Sequence, residues 1–351
     1  MKSFSGKLAE WYNPASRNLP WKLSNDAYKI WLSEIILQQT RVEQGTPYYH
    51  AFVKQYPTIK KLANAPLDEV LKLWEGLGYY SRARNLHIAA KQVMESHHGK
   101  FPESHAEILQ LKGIGNYTAA AIASFAFDLP YAVVDGNVYR VLSRIFGIET
   151  PIDSTEGKKQ FELLAQKLLD KKNPSAYNQA IMDFGATLCK PKNPLCEACP
   201  FSSECKALEL NKISLLPVKS KKLIKTERHF HYIVLYDKDF IYIKQRHAQD
   251  IWKGLFEFPV FESSSLMDDC HQILSNLNLK KYNELITNDH RLTYRQTLTH
   301  QYINAYFFEI KLKKLPKTDS EYHKILKKNI LDYAFPKIIR TYLKDRLIYL
   351  T

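Results

Sequence analysis

Residues 111–119 read LKGIGNYTA and join two segments of helical periodicity through a G-x-G turn. A helix that begins directly after such a turn leaves backbone N–H groups pointing outward at its N-terminus, where they can bind a phosphate. Gly113 and Gly115 permit a tight turn and the close approach of another backbone, and Lys112 adds positive charge. A G-x-G sequence alone also fits an ordinary tight turn. The longer pattern L-x-G-I/V-G-x-x-T-A is more specific and predicts a helical hairpin that binds phosphates.

The periodicity divides the chain into a helical part and a mixed part. Up to about residue 210, apolar residues recur three and four positions apart in segments such as DAYKIWLSEIILQQT and RARNLHIAAKQVMES, which predicts helices. From about residue 229, FHYIVLY and FIYIKQ predict a hairpin of two strands. QYINAYFFEI predicts a further strand, and LMDDCHQILSNL and PKIIRTYLKDRLIYL predict helices. The basic stretch at 213–228 is typical of a charged linker. The sequence thus predicts a multidomain chain, with an all-α region followed by an α/β domain.

Four of the five cysteines lie close together, in the spacing C-x6-C-x2-C-x5-C. Such clustering is typical of a metal centre, because the thiolates must converge on one small site. A chance cluster of thiols is a weaker alternative, and a disulfide is weaker still, since nothing in the sequence indicates an oxidising compartment. Zinc and a four-iron cluster both accept four thiolates, so the spacing leaves the metal open. The four residues are Cys189, Cys196, Cys199 and Cys205.

Charge and hydrophobicity narrow the class of protein. Lys plus Arg number 50 and Asp plus Glu number 36, which gives a net charge of +14. This excess favours a polyanionic partner, nucleic acid before an anionic membrane surface, although solvated lysine faces would give the same total. No apolar run approaches the roughly 18 residues of a membrane span, and the N-terminus lacks the apolar core of a secretory signal. We therefore expect a cytoplasmic protein without a membrane partner.

Glu34 is the first candidate for acid–base chemistry. In its helix, Lys29 and Ser33 mark the polar face. Glu34 lies away from that face, between Ile30 and Trp31 on a helical wheel. A carboxyl group placed there is partly desolvated, which raises its pKa, and an acid still protonated near neutral pH can give a proton to a leaving group. The competing interpretation is a structural Glu that pairs with a buried Arg or caps a neighbouring helix.

Asp135, in VVDGNVYRVLSR, is the second candidate. An Asp before an amphipathic helix is a good N-cap, which is its ordinary structural interpretation. The functional interpretation is a carboxylate that stays ionised at a helix N-terminus. An acid that gives a proton and an anion that stabilises positive charge are the pair needed to break a glycosidic bond through an oxocarbenium-like transition state. Nothing in the sequence alone brings Glu34 and Asp135 together.

Five motifs, in this order along the chain, resemble a known family. SEIILQQT, WEGLGYYSRARNL, LKGIGNYTA, VVDGNVYRVLSR and the cysteine run are together similar to the adenine DNA glycosylases of the MutY type. These belong to the helix-hairpin-helix superfamily, which includes endonuclease III. The resemblance covers residues 4–210 strongly and the C-terminal part more loosely. It implies a monomeric bacterial enzyme, associated with the nucleoid, that flips adenine out of duplex DNA and removes it when it is mispaired with 8-oxoguanine or G.

The resemblance implies a role for each matching residue. The cysteine loop would hold one four-iron, four-sulfur (4Fe–4S) cluster. Glu34 matches the acid that protonates the extruded adenine, and Asp135 matches the carboxylate that stabilises the sugar cation or bonds to it. Asn137 and Tyr117 match supporting residues of the same pocket. Contacts to DNA are implied for Gln39, Tyr79, Lys112, Gly113, Gly115, Thr299 and His300.

Two of these positions have a physical rationale of their own. Endonuclease III-like lyases have a lysine where this chain has Tyr117, and tyrosine cannot form the Schiff base that the lysine makes with the sugar carbon. The resemblance therefore implies a monofunctional glycosylase. Gln39 and Tyr79 match residues that insert into the base stack, where a planar side chain offsets part of the few kcal/mol that base extrusion costs. A helix-end Gln and a core Tyr are the structural alternatives.

The C-terminal part resembles the Nudix-like recognition domain of the same family, through KQRHAQDIWKGLFEFP at 244–259. A catalytic Nudix enzyme follows this segment with a Glu-rich helix that binds magnesium. LMDDCHQILSNL cannot supply those ligands, so we expect a domain that binds and does not hydrolyse nucleotides. The family has a Phe-Ser-His loop that probes 8-oxoguanine. This chain has Leu298-Thr299-His300 there, which keeps a hydroxyl and a histidine and loses the aromatic wedge.

Two other functions remain open at this point. One is a sister glycosylase, or an endonuclease III-like lyase, that acts on another base. The other is a non-catalytic protein that binds distorted DNA. The predicted domain plan is the same for all of them: a catalytic region at 1–212 with a hairpin lobe at about 20–130 and an iron–sulfur lobe made of 1–19 with 131–212, then the linker at 213–228 and the Nudix-like domain at 229–351.

Overall fold

The computed structural model describes residues 3–13, 17–220, 224–247, 249–280, 282, 291–316 and 321–350. The first 210 residues form helices, as the periodicity predicts, with short 3₁₀ segments at Pro20–Leu23 and Ser202–Glu204. No helix among the described residues is long and apolar enough to cross a membrane. The helices are α1 (Phe4–Trp11), α2 (Ala27–Leu37), α3 (Val42–Gln55), α4 (Ile59–Asn64), α5 (Leu67–Leu73), α6 (Ser81–Ser96), α7 (His105–Gln110), α8 (Asn116–Phe127), α9 (Gly136–Phe146), α10 (Thr155–Leu168), α11 (Pro174–Thr187) and α12 (Lys206–Glu209).

The C-terminal part is mixed α/β, which confirms the predicted change of fold class. Its described strands form one seven-stranded sheet in the order β3-β2-β1-β6-β5, with β4 also paired to β1 and β7 to β2. The long strands β1 and β6 are parallel, and β5 runs antiparallel to β6. The elements are β1 (Thr226–Tyr236), β2 (Phe240–Gln245), β3 (Phe256–Glu257), β4 (Val260–Ser263), α13 (Cys270–Asn276), β5 (Arg291–Thr297), β6 (Gln301–Lys311), β7 (His323–Leu326), a 3₁₀ segment (Lys327–Asp332) and α14 (Lys337–Leu350).

The chain divides into two compact units, and the predicted domain plan stays a prediction. One unit, here called the helical unit, comprises Met1–Asn64 and Asn85–Lys222. The other, the C-terminal unit, comprises Ala65–Arg84 and Leu223–Thr351. The segment from Ala65 to Arg84 is helical in sequence, so periodicity alone assigned it to the catalytic region. The predicted division of that region into two lobes stays a prediction.

The predicted linker at 213–228 is shorter in the structure. Leu216 is only 3% exposed, and the carbonyl oxygen of Val218 accepts a hydrogen bond from the Ile152 backbone N–H at 3.0 Å. β1 already begins at Thr226. Residues 221–223 of the predicted linker lie outside the described residues. The basic composition predicted a solvated tether, but the apolar residues before the lysines pack on the helical unit.

α2 is the central helix of the helical unit, and its sequence explains why. Asp26 caps its N-terminus, with its carboxylate accepting the backbone N–H of Tyr28 at 3.0 Å. From Ala27 to Ile36 every residue except Lys29 is buried. α8, whose residues from Thr118 to Ser124 are all buried, packs against α2, because its alanines allow close approach. The two helices thereby fix the surroundings of Glu34.

The segment 65–84 packs within the C-terminal unit through polar contacts as well as apolar ones. Lys72 Nζ donates to the carbonyl oxygen of Tyr333 at 3.1 Å. Glu75 accepts the backbone N–H of Phe335 at 2.8 Å. Arg84 Nη1 donates to a carbonyl oxygen, that of Lys253, at 2.7 Å. These bonds join positions about 170–260 residues apart in the chain, which is why no local pattern predicts them.

Candidate active site

A cavity of about 610 Å³ lies within the helical unit, between α2, α8, α9 and α11. Its volume falls in the range of about 300–1,000 Å³ that is typical of small-molecule sites. Four residues predicted from the sequence line it together: Glu34, Tyr117, Asp135 and Asn137. The structure therefore brings Glu34 and Asp135 to one cavity, although 100 residues separate them in the sequence.

Glu34 is buried in the cavity wall with one hydroxyl partner. Glu34 is only 8% exposed, and the Tyr117 hydroxyl donates a hydrogen bond to its Oε2 at 2.7 Å. Burial is the largest cause that raises the pKa of Glu34, the hydrogen bond from Tyr117 lowers it and the negative charge of Asp135 raises it, and together they bring it to about 7. A substantial fraction of Glu34 is therefore protonated at neutral pH. The helical wheel of α2 predicts this burial of Glu34.

Asp135 has surroundings of the opposite kind. It caps the N-terminus of α9, where its Oδ1 accepts the backbone N–H groups of Asn137 at 2.9 Å and Val138 at 2.8 Å. Its Oδ2 accepts the Asn137 side-chain amide at 2.8 Å. Burial raises the pKa of Asp135, while these three hydrogen bonds and the positive charge of Arg140 oppose that rise. The two carboxyl groups differ because Asp135 has three donors and a nearby guanidinium, whereas Glu34 has one hydroxyl.

Arg140 is a residue of this cavity that the sequence did not single out. Its Nη2 donates to Asn137 Oδ1 at 2.9 Å and to the carbonyl oxygen of Gly185 at 2.7 Å. Its Nε donates to the carbonyl oxygen of Cys189 at 2.8 Å. One turn further along α9, Arg144 Nη1 lies 3.6 Å from the Cys189 sulfur. The signal in the sequence was the spacing of two arginines four positions apart on a helix that Asp135 caps.

Three charged residues at the wall of the same cavity were also missed. Asp183 is almost fully buried, and it binds Arg17 Nη1 at 2.8 Å and also contacts Lys22 Nζ. All three line the cavity. Asp183 lies among apolar positions of α11, so it shows the same helical-wheel signal that pointed to Glu34. Arg17 and Lys22 precede α2 in a segment without clear periodicity, and no sequence signal would have identified them.

The four predicted cysteine ligands line one small apolar cavity, together with Ile145, Phe184 and Leu188. Burial and the neighbouring thiols raise the pKa of Cys199 to about 11. Within the described residues, no three His, Cys, Asp or Glu side chains form a site for a single metal ion. A set of four thiols facing one apolar cavity fits a thiolate-ligated cluster in its donor chemistry.

The hairpin between α7 and α8 has the geometry that its two glycines suggest. Gly113 has φ of +80°, and a Cβ there would lie 2.6 Å from the Asn85 Cβ, so this position requires glycine. A Cβ on Gly115 would meet no atom within 4 Å, which leaves open space beside the N-terminus of α8. Lys112 is exposed, and its backbone N–H donates to Gln92 Oε1 at 2.8 Å. The hairpin can therefore present its N–H groups to an anion from outside.

Gln39 and Tyr79 share an unusual backbone conformation. Gln39 has φ of +54° and Tyr79 has φ of +46°. Most other non-glycine residues with positive φ in the described chain are Asn, Asp or His, which tolerate that region better. Both side chains are exposed, Tyr79 by 42%. Strained, exposed positions of this kind are typical of functional sites, and the role of each residue stays a prediction.

The predicted lesion-reading residues lie together in the C-terminal unit. The hydroxyl groups of Tyr79 and Thr299 are hydrogen-bonded to each other. Both residues and His300 line a cavity of about 490 Å³, with Trp252 on its wall. No local pattern predicts that residues 79 and 299 meet, because they are 220 positions apart in the chain.

Known families and proteins match both the helical part and the C-terminal part of this chain. The HhH-GPD superfamily base excision DNA repair protein family matches residues 32–171, and the NUDIX domain family matches residues 231–345. The adenine DNA glycosylase of Buchnera aphidicola subsp. Baizongia pistaciae is 39% identical over 298 residues, which cover 83% of each chain. The human adenine DNA glycosylase is 46% identical over 215 residues, which cover 58% of this chain and 39% of the human one.

Two solved structures resemble the helical part. A thermostable thymine-DNA glycosylase is 31% identical with a TM-score of 0.55, covering 59% of this chain and 95% of that one. A trapped endonuclease III–DNA covalent intermediate is 22% identical with a TM-score of 0.52, covering 59% and 94%, and shows a shared fold. The similarity to the bacterial relative extends over most of both chains and includes both domains. This chain therefore belongs to the adenine DNA glycosylases of the helix-hairpin-helix superfamily.

Proposed function

We propose that this protein removes adenine opposite 8-oxoguanine or G in duplex DNA, by hydrolysing the N-glycosidic bond of the flipped nucleotide. One observation carries the proposal. Two carboxyl groups with opposite surroundings, Glu34 and Asp135, line one cavity of a size suited to a small molecule. Membership of the adenine DNA glycosylases supports adenine as the base and base excision repair as the process.

The two carboxyl groups divide the chemistry. Glu34, with a pKa near 7, gives a proton to a ring nitrogen of the flipped adenine. The bond between the sugar carbon and the base then breaks, and its electrons stay with the protonated base, which leaves as neutral adenine. The sugar carries the positive charge, and the Asp135 carboxylate stabilises or bonds to it. Water adds to the sugar carbon, its released proton returns to the Glu34 carboxylate, and an abasic site is left.

Asn137 and Arg140 hold Asp135 ready for that role. The Asn137 amide donates to Asp135 while its own oxygen accepts from Arg140, so the amide has one fixed orientation. An anion held by fixed donors needs no reorganisation when positive charge develops on the sugar. These contacts support Asn137 as a supporting residue of the pocket and add Arg140 to that group.

The Tyr117 hydroxyl supports a monofunctional reaction. It donates to Glu34 from the first turn of α8, where the lyases of the superfamily have an attacking lysine. A phenol hydroxyl cannot form the imine through which those enzymes cleave the strand. Strand cleavage is then left to a separate enzyme, and this protein yields an intact strand with an abasic site.

DNA would be held at several positions of the chain. The open hairpin with Lys112, Gly113 and Gly115 is suited to a backbone phosphate, because it offers helix N–H groups and positive charge. Gln39 and Tyr79 would fill the gap left by the extruded base. Thr299 and His300 would contact the purine opposite adenine, with the Tyr79–Thr299 hydrogen bond joining the inserted residue to the lesion-reading loop.

The cysteine loop would hold one 4Fe–4S cluster through Cys189, Cys196, Cys199 and Cys205. Four thiols facing one apolar cavity, with Arg144 beside the Cys189 sulfur, fit a thiolate-ligated cluster of net negative charge. When bound, such a cluster cross-links the loop and can exchange electrons. Purified protein should be brown, absorb in the visible blue and contain four irons, whereas a colourless protein with stoichiometric zinc would refute the cluster.

A duplex assay tests the proposed function directly. Purified protein is incubated with duplexes that carry A opposite 8-oxoguanine, A opposite G and A opposite T, and strand scission is measured with and without alkali. We expect scission of the first two duplexes only after alkali, and none of the third. If the first duplex releases no adenine, the proposed function is wrong; scission without alkali would contradict only the monofunctional reaction.

One alternative has a specific observation in its favour. The thermostable thymine-DNA glycosylase is similar to this chain over the helical part. A duplex with T opposite G therefore belongs in the same assay, and we expect no release of thymine from it. The alternative of a non-catalytic DNA-binding protein is tested by substituting Glu34, because it predicts that binding and stability are the only properties to change.

A further inference from the structure

A second cavity adjoins the candidate active site in the helical unit. It is an open groove of about 450 Å³, lined by residues from α8 and α11 and from loops, including the residue that follows α1. Its lining includes Tyr12, Asp128, Asn173, Ser175 and Ala176. Four residues line both the groove and the cavity that contains Glu34: Lys22, Asn25, Phe125 and Gln179. The two spaces are therefore neighbours that share a wall.

The course of the helices that line both the active-site cavity and the groove shows on which side of the cavity the groove lies. The lining of the active-site cavity extends from Leu37–Glu43 at the C-terminal end of α2 to Ser24 and Asn25 before its N-terminal end. A helix of 11 residues is about 16 Å long, so these two ends are well separated. The groove shares only the N-terminal end, at Asn25.

The other two helices give the same direction. On α8, Tyr117 lines the cavity near the N-terminus, whereas the groove has Phe125, Ala126 and then Asp128 beyond the C-terminus. On α11 the lining moves from Ala186 in the cavity towards Ser175 in the groove. Three helices thus agree that the groove continues the cavity away from its Leu37–Glu43 end.

The predicted DNA side lies at the opposite end of the cavity. Gln39, which is proposed to enter the base stack, directly follows α2 and lies next to cavity-lining Thr40 and Arg41. Among the described residues that line the groove, none comes from positions 37–43. A nucleotide that enters beside Gln39 therefore reaches Glu34 before it reaches the groove.

We propose that the groove is an exit passage through which excised adenine leaves while the DNA remains bound. This inference rests on the proposed function. The excised base lies between the sugar and the cavity wall, and the bound strand obstructs the way by which it entered. If the base stayed there, its nitrogen could attack the sugar cation again. A route beyond Asn25 removes the base without opening the protein–DNA interface.

The lining of the passage suits a neutral purine. Phe125 and Tyr12 offer aromatic surface, and the amides of Asn25 and Gln179 offer both donors and acceptors for an exocyclic amine and ring nitrogens. The Tyr12 hydroxyl donates to Gln179 Oε1 at 3.3 Å, and Lys22 Nζ lies 5.9 Å from the centre of the Tyr12 ring. These side chains belong to the junction of cavity and groove, and they are the groups that must move aside for a base to pass.

The experiment separates bond cleavage from release of the base. A biotinylated duplex with radiolabelled adenine opposite 8-oxoguanine is fixed to beads, and full-length protein is added in excess. At each time point, alkali-labile sites on the beads, free label in the supernatant and protein left on the beads are measured. We expect label to appear in step with abasic sites, while protein is still bound.

Ala176→Trp narrows the groove at an exposed position that does not line the active-site cavity. Abasic sites should form as in the wild type, and label should appear about tenfold more slowly or later still. Ala126→Phe, on α8, should have the same effect from another helix and covers the case in which the first variant does not fold. Ala9→Trp, at an exposed position of α1 outside the groove, is the matched control and should release label like the wild type.

Two results would overturn the passage. In the first, wild-type label leaves the beads only as the protein dissociates, which means that bound DNA closes every route. In the second, Ala176→Trp and Ala126→Phe release label as fast as Ala9→Trp. Failure of the proposed function looks different, because abasic sites would then not form with the wild-type protein.

Discussion

Two buried glutamates, one in each unit, have opposite partners. Glu34 of the helical unit is 8% exposed and faces a cavity, with the Tyr117 hydroxyl as its hydrogen-bond donor. Glu257 of the C-terminal unit is 2% exposed, and Arg246 Nη1 lies 3.1 Å from its Oε2. Burial raises the pKa of both residues, to about 7 at Glu34, whereas at Glu257 the charges of Arg246 and Lys244 act in the opposite direction.

A functional carboxyl group can be distinguished from a structural one by the partner that lies against it. In a buried ion pair such as that of Glu257 each charge compensates the other, so the loss of one partner is costly, and the pair offers no proton to a ligand. Glu34 keeps a proton near neutral pH because burial disfavours its charge and no cation among the described residues is paired with it, and the cavity gives a ligand access to it. Both residues lie in motifs that the resemblance uses, SEIILQQT and KGLFEFP, so motif membership alone would not separate them.

Replacing Glu34 should give the largest effect on catalysis. Glu34→Gln keeps the shape and removes the acidic proton, and general acid catalysis contributes about 10²–10⁴-fold to a rate. We expect single-turnover excision from an A:8-oxoguanine duplex to fall by about that factor, with duplex affinity in fluorescence anisotropy unchanged. Excision at the wild-type rate would refute the acid role and would favour a protein that merely binds DNA.

Replacing Glu257 should instead affect the fold. Glu257→Gln removes the buried carboxylate beside Arg246, whose Nη2 keeps Asp250 as a counter-charge at 3.2 Å. Breaking a buried pair outright costs about 3–5 kcal/mol, so we expect a loss below that range. Chemical denaturation should show that loss in the free energy of unfolding of the C-terminal unit. At a temperature at which the variant remains folded, excision from an A:G duplex should be retained. A variant as stable as the wild type would show that the fold of the C-terminal unit does not depend on the pairing of Glu257 with Arg246.

Glu34→Gln should stabilise the protein at alkaline pH, in contrast to Glu257→Gln. The folded-state pKa of about 7 lies above the ordinary value of 4.5. The native state therefore binds more protons than the unfolded state between these pH values, and stability is lost as the pH rises through that window. The amide does not ionise, so at pH 8 the variant should gain on the order of 2–3 kcal/mol, and the gain should shrink towards pH 5. Thermal unfolding at pH 8 and at pH 5 measures this gain in stability. A gain that does not depend on pH would contradict the raised pKa of Glu34.

The pH dependence of excision should also reflect the protonation of Glu34, with a smaller effect. Because the acid must be protonated, kcat/KM should decline above about pH 7, the pKa of Glu34. The Tyr117 hydroxyl favours the charged form, so Tyr117→Phe should move this decline to higher pH by up to about one unit. Tyr131→Phe, at an exposed tyrosine outside the cavity lining, is the matched control and should leave the profile in place. A shift to lower pH with Tyr117→Phe would show that the hydroxyl does not donate to Glu34.

The local features of both regions could be predicted from the sequence, but their partners could not. The burial of Glu34 and the capping role of Asp135 follow from helical periodicity and from N-cap preference, which act over a few residues. The bond between Tyr117 and Glu34 joins residues 83 positions apart, and that between Arg17 and Asp183 joins residues 166 apart. Such pairs depend on how helices pack against each other, which periodicity does not specify.

The assignment of residues 65–84 to the C-terminal unit shows the same limit. The stretch has helical periodicity and lies between helical segments, so every local signal assigns it to the catalytic region. Its place is decided by partners far along the chain, which are the backbone carbonyl oxygens of Lys253 and Tyr333 and the backbone N–H of Phe335. The strained backbone of Gln39 and Tyr79 is likewise a property of the fold, because neither residue type prefers positive φ.

Replacing an exposed charge should have a smaller effect than replacing either of the two buried glutamates. Lys112 is exposed at the hairpin, where it would neutralise one phosphate without touching the chemistry. In Lys112→Ala, the slope of log affinity against log salt concentration should become less negative by about 0.9, the value expected for one phosphate contact. The single-turnover excision rate at saturating protein should not change. Lys159→Ala on α10, an exposed lysine outside the hairpin, is the matched control. Equal slopes for the two variants would mean that Lys112 contacts no phosphate, and the hairpin would then bind DNA through its backbone N–H groups alone.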